Sequence, residues 1–262
     1  MKIGITQIIL RKYSLDEIIA LCQRAGYEII ELVFSEGGDP DVNMSDADLK
    51  ALRARLDAAG IEVTSVIAHY KEQGNFLDPS PQAQELRMRS LVRSIEIAGA
   101  MGVGAVLLHP GQLSVDISYT QAWENFRAHM RAVAPIAAQH QVAVGIENVW
   151  NKFLLSPKEM REFIDEVDSP WVGCYLDTAN MMAYGYPEQW IDELGQRIKR
   201  VHFKDFNRRQ HAFVPLQEGD TDWPRIMAKL RAIGYNAGVI HEVSGDLEFQ
   251  VEMARRMRAI VA

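Results

Sequence analysis

Residues 142–180 read VAVGIENVWNKFLLSPKEMREFIDEVDSPWVGCYLDTAN. Two short apolar runs, Val142–Glu147 and Val172–Asp177, each end on a carboxylate. Between them lies a stretch with apolar residues at helical spacing, opened by Ser156 as N-cap and Pro157 at the first helical position. Strands without polar alternation have both faces buried, as in a parallel sheet covered by helices. This stretch therefore reads as strand, helix, strand, with acidic groups delivered where the strands end.

Working outward, the same unit recurs along the chain. Strands are expected at Ile3–Gln7, Ile29–Phe34, Val63–His69, Ala105–His109, Arg200–Asp205 and Gly238–Val243. Helices are expected at Leu15–Ala25, Asp46–Ala59, Pro81–Met101, Tyr119–His140, Pro187–Leu194, Trp223–Ile233 and Leu247–Val261. Ser14 and Ser45 are further N-caps, and Gly26, Gly60, Gly102 and Gly234 fall where helices should stop. Eight strand–helix units without a linker predict one (β/α)8 TIM barrel spanning 1–262 as a single domain. An open doubly wound sheet would more naturally carry a glycine-rich phosphate loop after its first strand, and GITQIILRK (4–12) has none.

The chain has 262 residues and a formal net charge of −7. The charge argues against a nucleic-acid partner, and no run approaches the length of a membrane span. The N-terminal MKIGITQIIL lacks the pattern of a signal peptide, so a cytoplasmic location is expected. The two cysteines, Cys22 and Cys174, have no metal-type spacing and read as buried thiols. Apolar helix residues leave room for a homodimer or homotetramer.

In such barrels the chemistry sits where strands end. Glu147, Asp177, His202 and Glu242 end four consecutive strands. Three carboxylates converging on one mouth repel unless protonated or bound to a cation. One divalent metal ion on these four residues is the expectation, Mn²⁺ first, with Mg²⁺, Co²⁺ or Zn²⁺ as alternatives. His69 and His109 end strands three and four and are candidate substrate contacts. Lys204, Arg208 and Arg209 form a basic cluster that could clamp a substrate oxygen or phosphate. Tyr70, Trp150, Phe153 and Tyr184 are aromatic candidates near the rim. His241 has the opposite parity to Glu242 and reads as structural. Arg200 shares parity with His202 and should point inward, toward the bottom of the barrel.

These strand ends resemble the xylose-isomerase-like barrel superfamily. It includes ketose 3-epimerases, ribulose-phosphate 3-epimerases, hydroxypyruvate isomerase, inosose dehydratase and the endonuclease IV enzymes. The resemblance is strongest in GIENVWNKF, LDTANMMAYGYPEQW, IKRVHFKDFNRR and EGDTDWPRIMAKLRAIGYNAGVIHEV. It implies that Glu147, Asp177, His202 and Glu242 are metal ligands, that Glu147 and Glu242 are the two acid/base groups, and that Arg208 contacts substrate. Free-ketose 3-epimerases usually carry a histidine where this chain has Asn180. The Ala179–Asn180 pair and the H-x-K-D of strand seven are more similar to the ribulose-5-phosphate 3-epimerase branch, which implies a sugar phosphate. His69 and His109 match metal positions of the endonuclease branch, but Asn180 breaks that branch's larger histidine set.

The expected activity is inversion at C3 of a ketose or ketose phosphate. One glutamate removes the proton, the other returns it on the opposite face, and an enediolate lies between. The expected partner is a small sugar or sugar phosphate, contacted by His69, His109, Asn180, Lys204 and Arg208. An aldose–ketose isomerase could use the same parts. A keto-polyol dehydratase, an endonuclease at damaged DNA and a non-catalytic sugar-binding barrel are further alternatives.

Overall fold

The computed structural model describes residues 1–262. Ten strands and eight α-helices run in the order β1 (Ile3–Thr6), α1 (Leu15–Ala25), β2 (Ile29–Ser35), α2 (Asp46–Ala58), β3 (Glu62–His69), α3 (Pro81–Met101), β4 (Ala105–Leu108), α4 (Tyr119–His140), β5 (Ala143–Glu147), α5 (Pro157–Val167), β6 (Val172–Asp177), α6 (Pro187–Leu194), β7 (Ile198–Phe203), β8 (Asp205–Asn207), β9 (Ala212–Val214), α7 (Trp223–Ala232), β10 (Val239–His241) and α8 (Leu247–Val261). Eight strands are hydrogen-bonded in the closed order β1-β10-β7-β6-β5-β4-β3-β2, every pairing parallel. This is a (β/α)8 barrel, as the alternation of apolar runs predicted.

Local chemistry sets the element ends. Ser14 and Ser156 each form a capping box, accepting from the Glu17 and Glu159 amides while those carboxylates receive the serine amides. The main apolar cluster joins strand residues such as Val106 and Ile146 to helix residues such as Ile95 and Phe126. A smaller cluster of Val33, Ile67, Leu107 and Tyr175 fills the barrel itself. A Cβ at Gly145 would lie 3.0 Å from the Tyr175 Cβ, so the absence of a side chain there is what lets that ring occupy the interior. At the opposite end from the site, Arg200 turns inward and donates from Nε to the Thr64 carbonyl at 3.0 Å.

Seven of the eight barrel strands differ from expectation by one or two residues at one end or both, and two of these shifts bear on the site. β7 begins at Ile198 and stops at Phe203, so Lys204 lies beyond it, and β10 stops one residue before Glu242. The segment after β7 is an antiparallel hairpin of β8 and β9 rather than an open loop. Both cysteines are buried free thiols. No helix is long and apolar enough to cross a membrane.

Candidate active site

Parallel register brings the strand-end groups together. Asp177 of β6 pairs with His202 of β7, and Ile240, two residues before Glu242, pairs with His202 from the other side. One ligand atom from each of Glu147, Asp177, His202 and Glu242 can be chosen so that all lie within 4.8 Å of one another. Asp177 and His202 are fully buried.

Neighbouring residues fix these side chains. Asn148 holds the β6 backbone, donating from Nδ2 to the Asp177 carbonyl at 3.0 Å and accepting the Asp177 amide at 2.8 Å. Asp177 Oδ1 accepts the amides of Ala179 and Asn180. The Asn180 side chain donates to the Asn148 carbonyl at 3.0 Å and to Glu147 Oε1 at 3.4 Å. Lys204 reaches into the cluster, with Nζ 2.7 Å from Glu242 Oε2 and 3.4 Å from Asp177 Oδ2.

This donor set fits a divalent cation. Asp177 Oδ2 and His202 Nδ1 are buried and make no hydrogen bond; their nearest charged neighbours are Lys204 Nζ at 3.4 Å and Glu242 Oε2 at 3.6 Å. Unpaired buried polar atoms are costly, and a cation bound between them supplies the missing interaction. The charges respond to the crowding. Burial, together with the charges of Glu242 and Asp177, pushes the Glu147 carboxyl above the ordinary carboxylate range. Burial acts the same way on Glu242, but His202 and Lys204 outweigh it and hold that carboxyl low. His202 and Lys204 are held protonated: burial opposes their charge, but the surrounding carboxylates override it.

A cavity of 430 Å³ opens beside the cluster and is lined by Glu147, Glu242, His69, His109, Arg11 and Arg87 among others. His109 Nδ1 accepts the Gly111 amide, so in the neutral ring Nε2 carries the proton. Burial and the nearby Arg87 push His109 down to about 4, and burial with Arg87 and Arg11 does the same to His69. Arg87 is buried on α3 with its guanidinium turned to the His109 carbonyl, and no carboxylate is paired with it.

Among the residues expected to contact substrate, His69 and His109 line this cavity, while Asn180 and Lys204 are bound into the acidic cluster. The Arg208 guanidinium is elsewhere. It donates to the carbonyls of Met182 and Gly185, lies over the Tyr186 ring, and faces a separate hollow. Of the aromatic candidates, Phe153 is buried against Phe126 and Phe163, and Tyr70 is covered by Arg89. Trp150 donates from Nε1 to the Asn180 carbonyl and stacks on His211, and Tyr184 is exposed. His241 is buried behind the site, with Nε2 2.7 Å from the Tyr27 hydroxyl.

Three residues had escaped the reading of the sequence. Arg11 and Arg87 line the cavity from a turn and a helix rather than from strand ends. Glu31 is a fully buried carboxylate inside the barrel, touching His202. Asp205, which the sequence placed at the end of strand seven, is fully buried at the root of the hairpin. Its two oxygens accept from the amides of Phe206, Gln217, Gly219 and Thr221, the Thr221 hydroxyl and the Trp223 indole. A Cβ on Gly219 would fall 2.2 Å from Asp205 Oδ1, so only glycine allows this approach.

Comparison with known proteins gives consistent relatives. The model of a family described as xylose isomerase-like TIM barrel matches residues 19–260. The L-ribulose-5-phosphate 3-epimerase UlaE of Escherichia coli K12 is 23% identical, over 84% of this chain and 78% of its own length. A putative L-ribulose-5-phosphate 3-epimerase, SgbU of Haemophilus influenzae, is 21% identical over 92% of this chain and 88% of its own. Among solved structures, a D-tagatose 3-epimerase-like protein superimposes with a TM-score of 0.85 at 21% identity, covering 100% of this chain and 97% of that one. An L-ribulose 3-epimerase superimposes with a TM-score of 0.81 at 21% identity, covering 100% and 93%. At these identities the structural likeness establishes the fold.

Proposed function

The chain belongs to the xylose isomerase-like TIM barrel family, and from that premise we propose that it is a divalent-metal-dependent epimerase that inverts C3 of a ketose or ketose phosphate. The observation that carries this reading is the pair Glu147 and Glu242, two carboxylates from different sides of the barrel that line one cavity and differ in their hold on a proton. Relatives named as L-ribulose-5-phosphate 3-epimerases support the choice of substrate class.

Glu147, Asp177, His202 and Glu242 are the residues that would hold the ion. When bound, it supplies Lewis-acid stabilisation of the negative charge that develops on the substrate's carbonyl and hydroxyl oxygens. The chain supplies the rest. Glu242, kept ionised beside Lys204, takes the C3 proton from one face of the sugar. Glu147, in its protonated form, returns a proton to the opposite face, and the two exchange roles in the reverse direction. His109 offers its Nε2–H to a substrate oxygen, and Asn180 keeps Glu147 in place through its amide. The positive field of Arg11 and Arg87 around His69 and His109 favours an anionic or hydroxyl-rich substrate tail over further metal ions at those histidines.

The experiment is a panel of ketoses and ketose phosphates incubated with the Mn²⁺-loaded protein in D₂O and followed by NMR. Deuterium at C3 accompanied by the C3 epimer is expected. Formation of an aldose, or of a dehydrated product, would replace the proposal by an isomerase or a dehydratase.

A further inference from the structure

Glu31 stands in the middle of β2, between Ile30 and Leu32, and is completely buried. Both of its oxygens are fully engaged. Oε1 accepts from the Thr6 hydroxyl at 2.7 Å and faces His202 Nε2 at 3.1 Å. Oε2 accepts from the Ser65 hydroxyl at 2.6 Å and the Tyr175 hydroxyl at 2.7 Å. The partners come from β1, β3, β6 and β7, so the carboxylate ties four strands together across the barrel interior. A side chain needed only for packing would be apolar here, as Val33 is two positions along the same strand.

The contact with His202 has a chemical direction. A neutral imidazole offers one N–H and one lone pair, and the group beside one nitrogen decides which is which. A carboxylate can only accept, so without an ion both nitrogens of the protonated ring face acceptors; Nε2, hydrogen-bonded to Glu31 at 3.1 Å, keeps its proton, and Nδ1, 3.6 Å from Glu242, is the one that would give its proton up to a cation. The opposite nitrogen, Nδ1, has no hydrogen-bond partner and lies 3.6 Å from Glu242 Oε2, on the side of the ring where the ligand-type carboxylates gather. The Tyr175 ring packs on His202 with centroids 4.5 Å apart, which limits ring rotation, and the same tyrosine donates its hydroxyl to Glu31.

We propose that Glu31 is a positioning residue for the metal centre: it fixes the His202 ring with its proton on Nε2 and its Nδ1 lone pair directed at the group formed by Glu147, Asp177 and Glu242. Glu31 is not itself a ligand, because each of its oxygens is already committed to two partners. Its charge raises the basicity of the imidazole, and its four-strand anchorage sets the ring's position before any ion arrives. This inference rests on the metal reading of the cluster.

The test uses the Zn²⁺-loaded protein labelled with ¹⁵N in its histidine rings. In the wild type, NMR should show His202 bound through Nδ1, with Nε2 protonated and its proton at low field and slow to exchange. Glu31→Gln, which keeps the shape and removes the charge, should weaken Zn²⁺ binding by roughly 10- to 100-fold in a chelator competition and move that proton upfield. Tyr175→Phe leaves the Glu31–His202 contact intact and should preserve the tautomer. Coordination of His202 through Nε2, or wild-type Zn²⁺ affinity in a folded Glu31→Gln protein, overturns the proposal. Should Glu31→Gln fail to fold, the wild-type spectrum decides alone. A wild type that binds no divalent ion removes the metal reading and this inference with it, whereas tight binding through the wrong nitrogen removes only the role of Glu31.

Discussion

The ammonium of Lys204 lies 2.7 Å from Glu242 Oε2, whereas the hydrogen bond to the Glu147 carboxylate comes from the neutral amide of Asn180 at 3.4 Å. The two glutamates of the candidate site are therefore not equivalent. One is in contact with a neighbouring cation and stays ionised; the other, buried with no cation in contact and beside the charges of Glu242 and Asp177, favours a proton.

For the acid/base pair, Glu147→Gln and Glu242→Gln should each lower kcat for epimerisation at least ~10²-fold. Each variant keeps one competent carboxylate, on one face of the sugar. Deuterium exchange, started separately from each epimer, should then be selective for one epimer in Glu147→Gln and for the other in Glu242→Gln. Exchange of the same epimer by both variants would falsify the two-base inversion.

The metal centre is open to direct measurement. Elemental analysis of protein loaded with Mn²⁺ and desalted should find about one ion per chain. Asp177→Ala and His202→Ala, which remove the side chains with orphaned atoms, should lose it. Full occupancy in both variants would show that the ion is held elsewhere.

Two arginines, one after the first strand and one after the seventh, separate two accounts of substrate anchoring. Arg11 lines the cavity shared with both glutamates, while the Arg208 guanidinium is engaged with the Met182 and Gly185 carbonyls. For a phosphorylated ketose, Arg11→Ala should raise KM about 10-fold or more, the loss of one charged hydrogen bond, and should affect the unphosphorylated sugar far less. Arg208→Ala, which frees two loop carbonyls, should lower Tm and act on both sugars alike. A phosphate-selective rise in KM for Arg208→Ala alone would return the anchoring role to strand seven, where the resemblance placed it.

His241 makes the fold sensitive to acid. Burial pushes its imidazole down to about 3, and its Nε2 is bound to Tyr27. The folded ring resists a proton that the unfolded chain accepts near 6.5. Its contribution to stability is complete above that value and is lost as the pH falls from there toward about 3. Urea titrations at pH 7 and pH 5 should show His241→Gln losing roughly 2 kcal/mol less on acidification than the wild type, at about 1.4 kcal/mol per pH unit. Parallel losses in the two proteins would mean that other groups govern the acid response.

The strand ends were legible because burial on both faces of a parallel sheet writes itself as unbroken apolar runs, and a charged residue closing such a run stands out. Glu147 and Asp177 carry that mark, while His202 and Glu242 were found as the ligand-type residues near the ends of the next two strands. Glu31 also interrupts an apolar run, but from its middle, where a charge demands a buried partner that no local spacing names. The hairpin of β8 and β9 was hidden because its strands are three residues each and joined by polar residues, leaving too little alternation to read. Arg208 illustrates a different limit. Its position six residues after His202 was readable, but the direction of its long side chain is set by carbonyls on another loop.

Asp205 has a consequence for how such a barrel diversifies. Because six donors from both ends of the insertion converge on this one carboxylate, residues 209–215 hang from a clasp to which their own side chains contribute nothing. The tip, which carries His211 and Phe213 beside Trp150, can be exchanged or lengthened while the clasp keeps the seventh strand end and Lys204 in register. The hairpin is in that sense an interchangeable cassette, whose tip can vary without disturbing the end of the seventh strand.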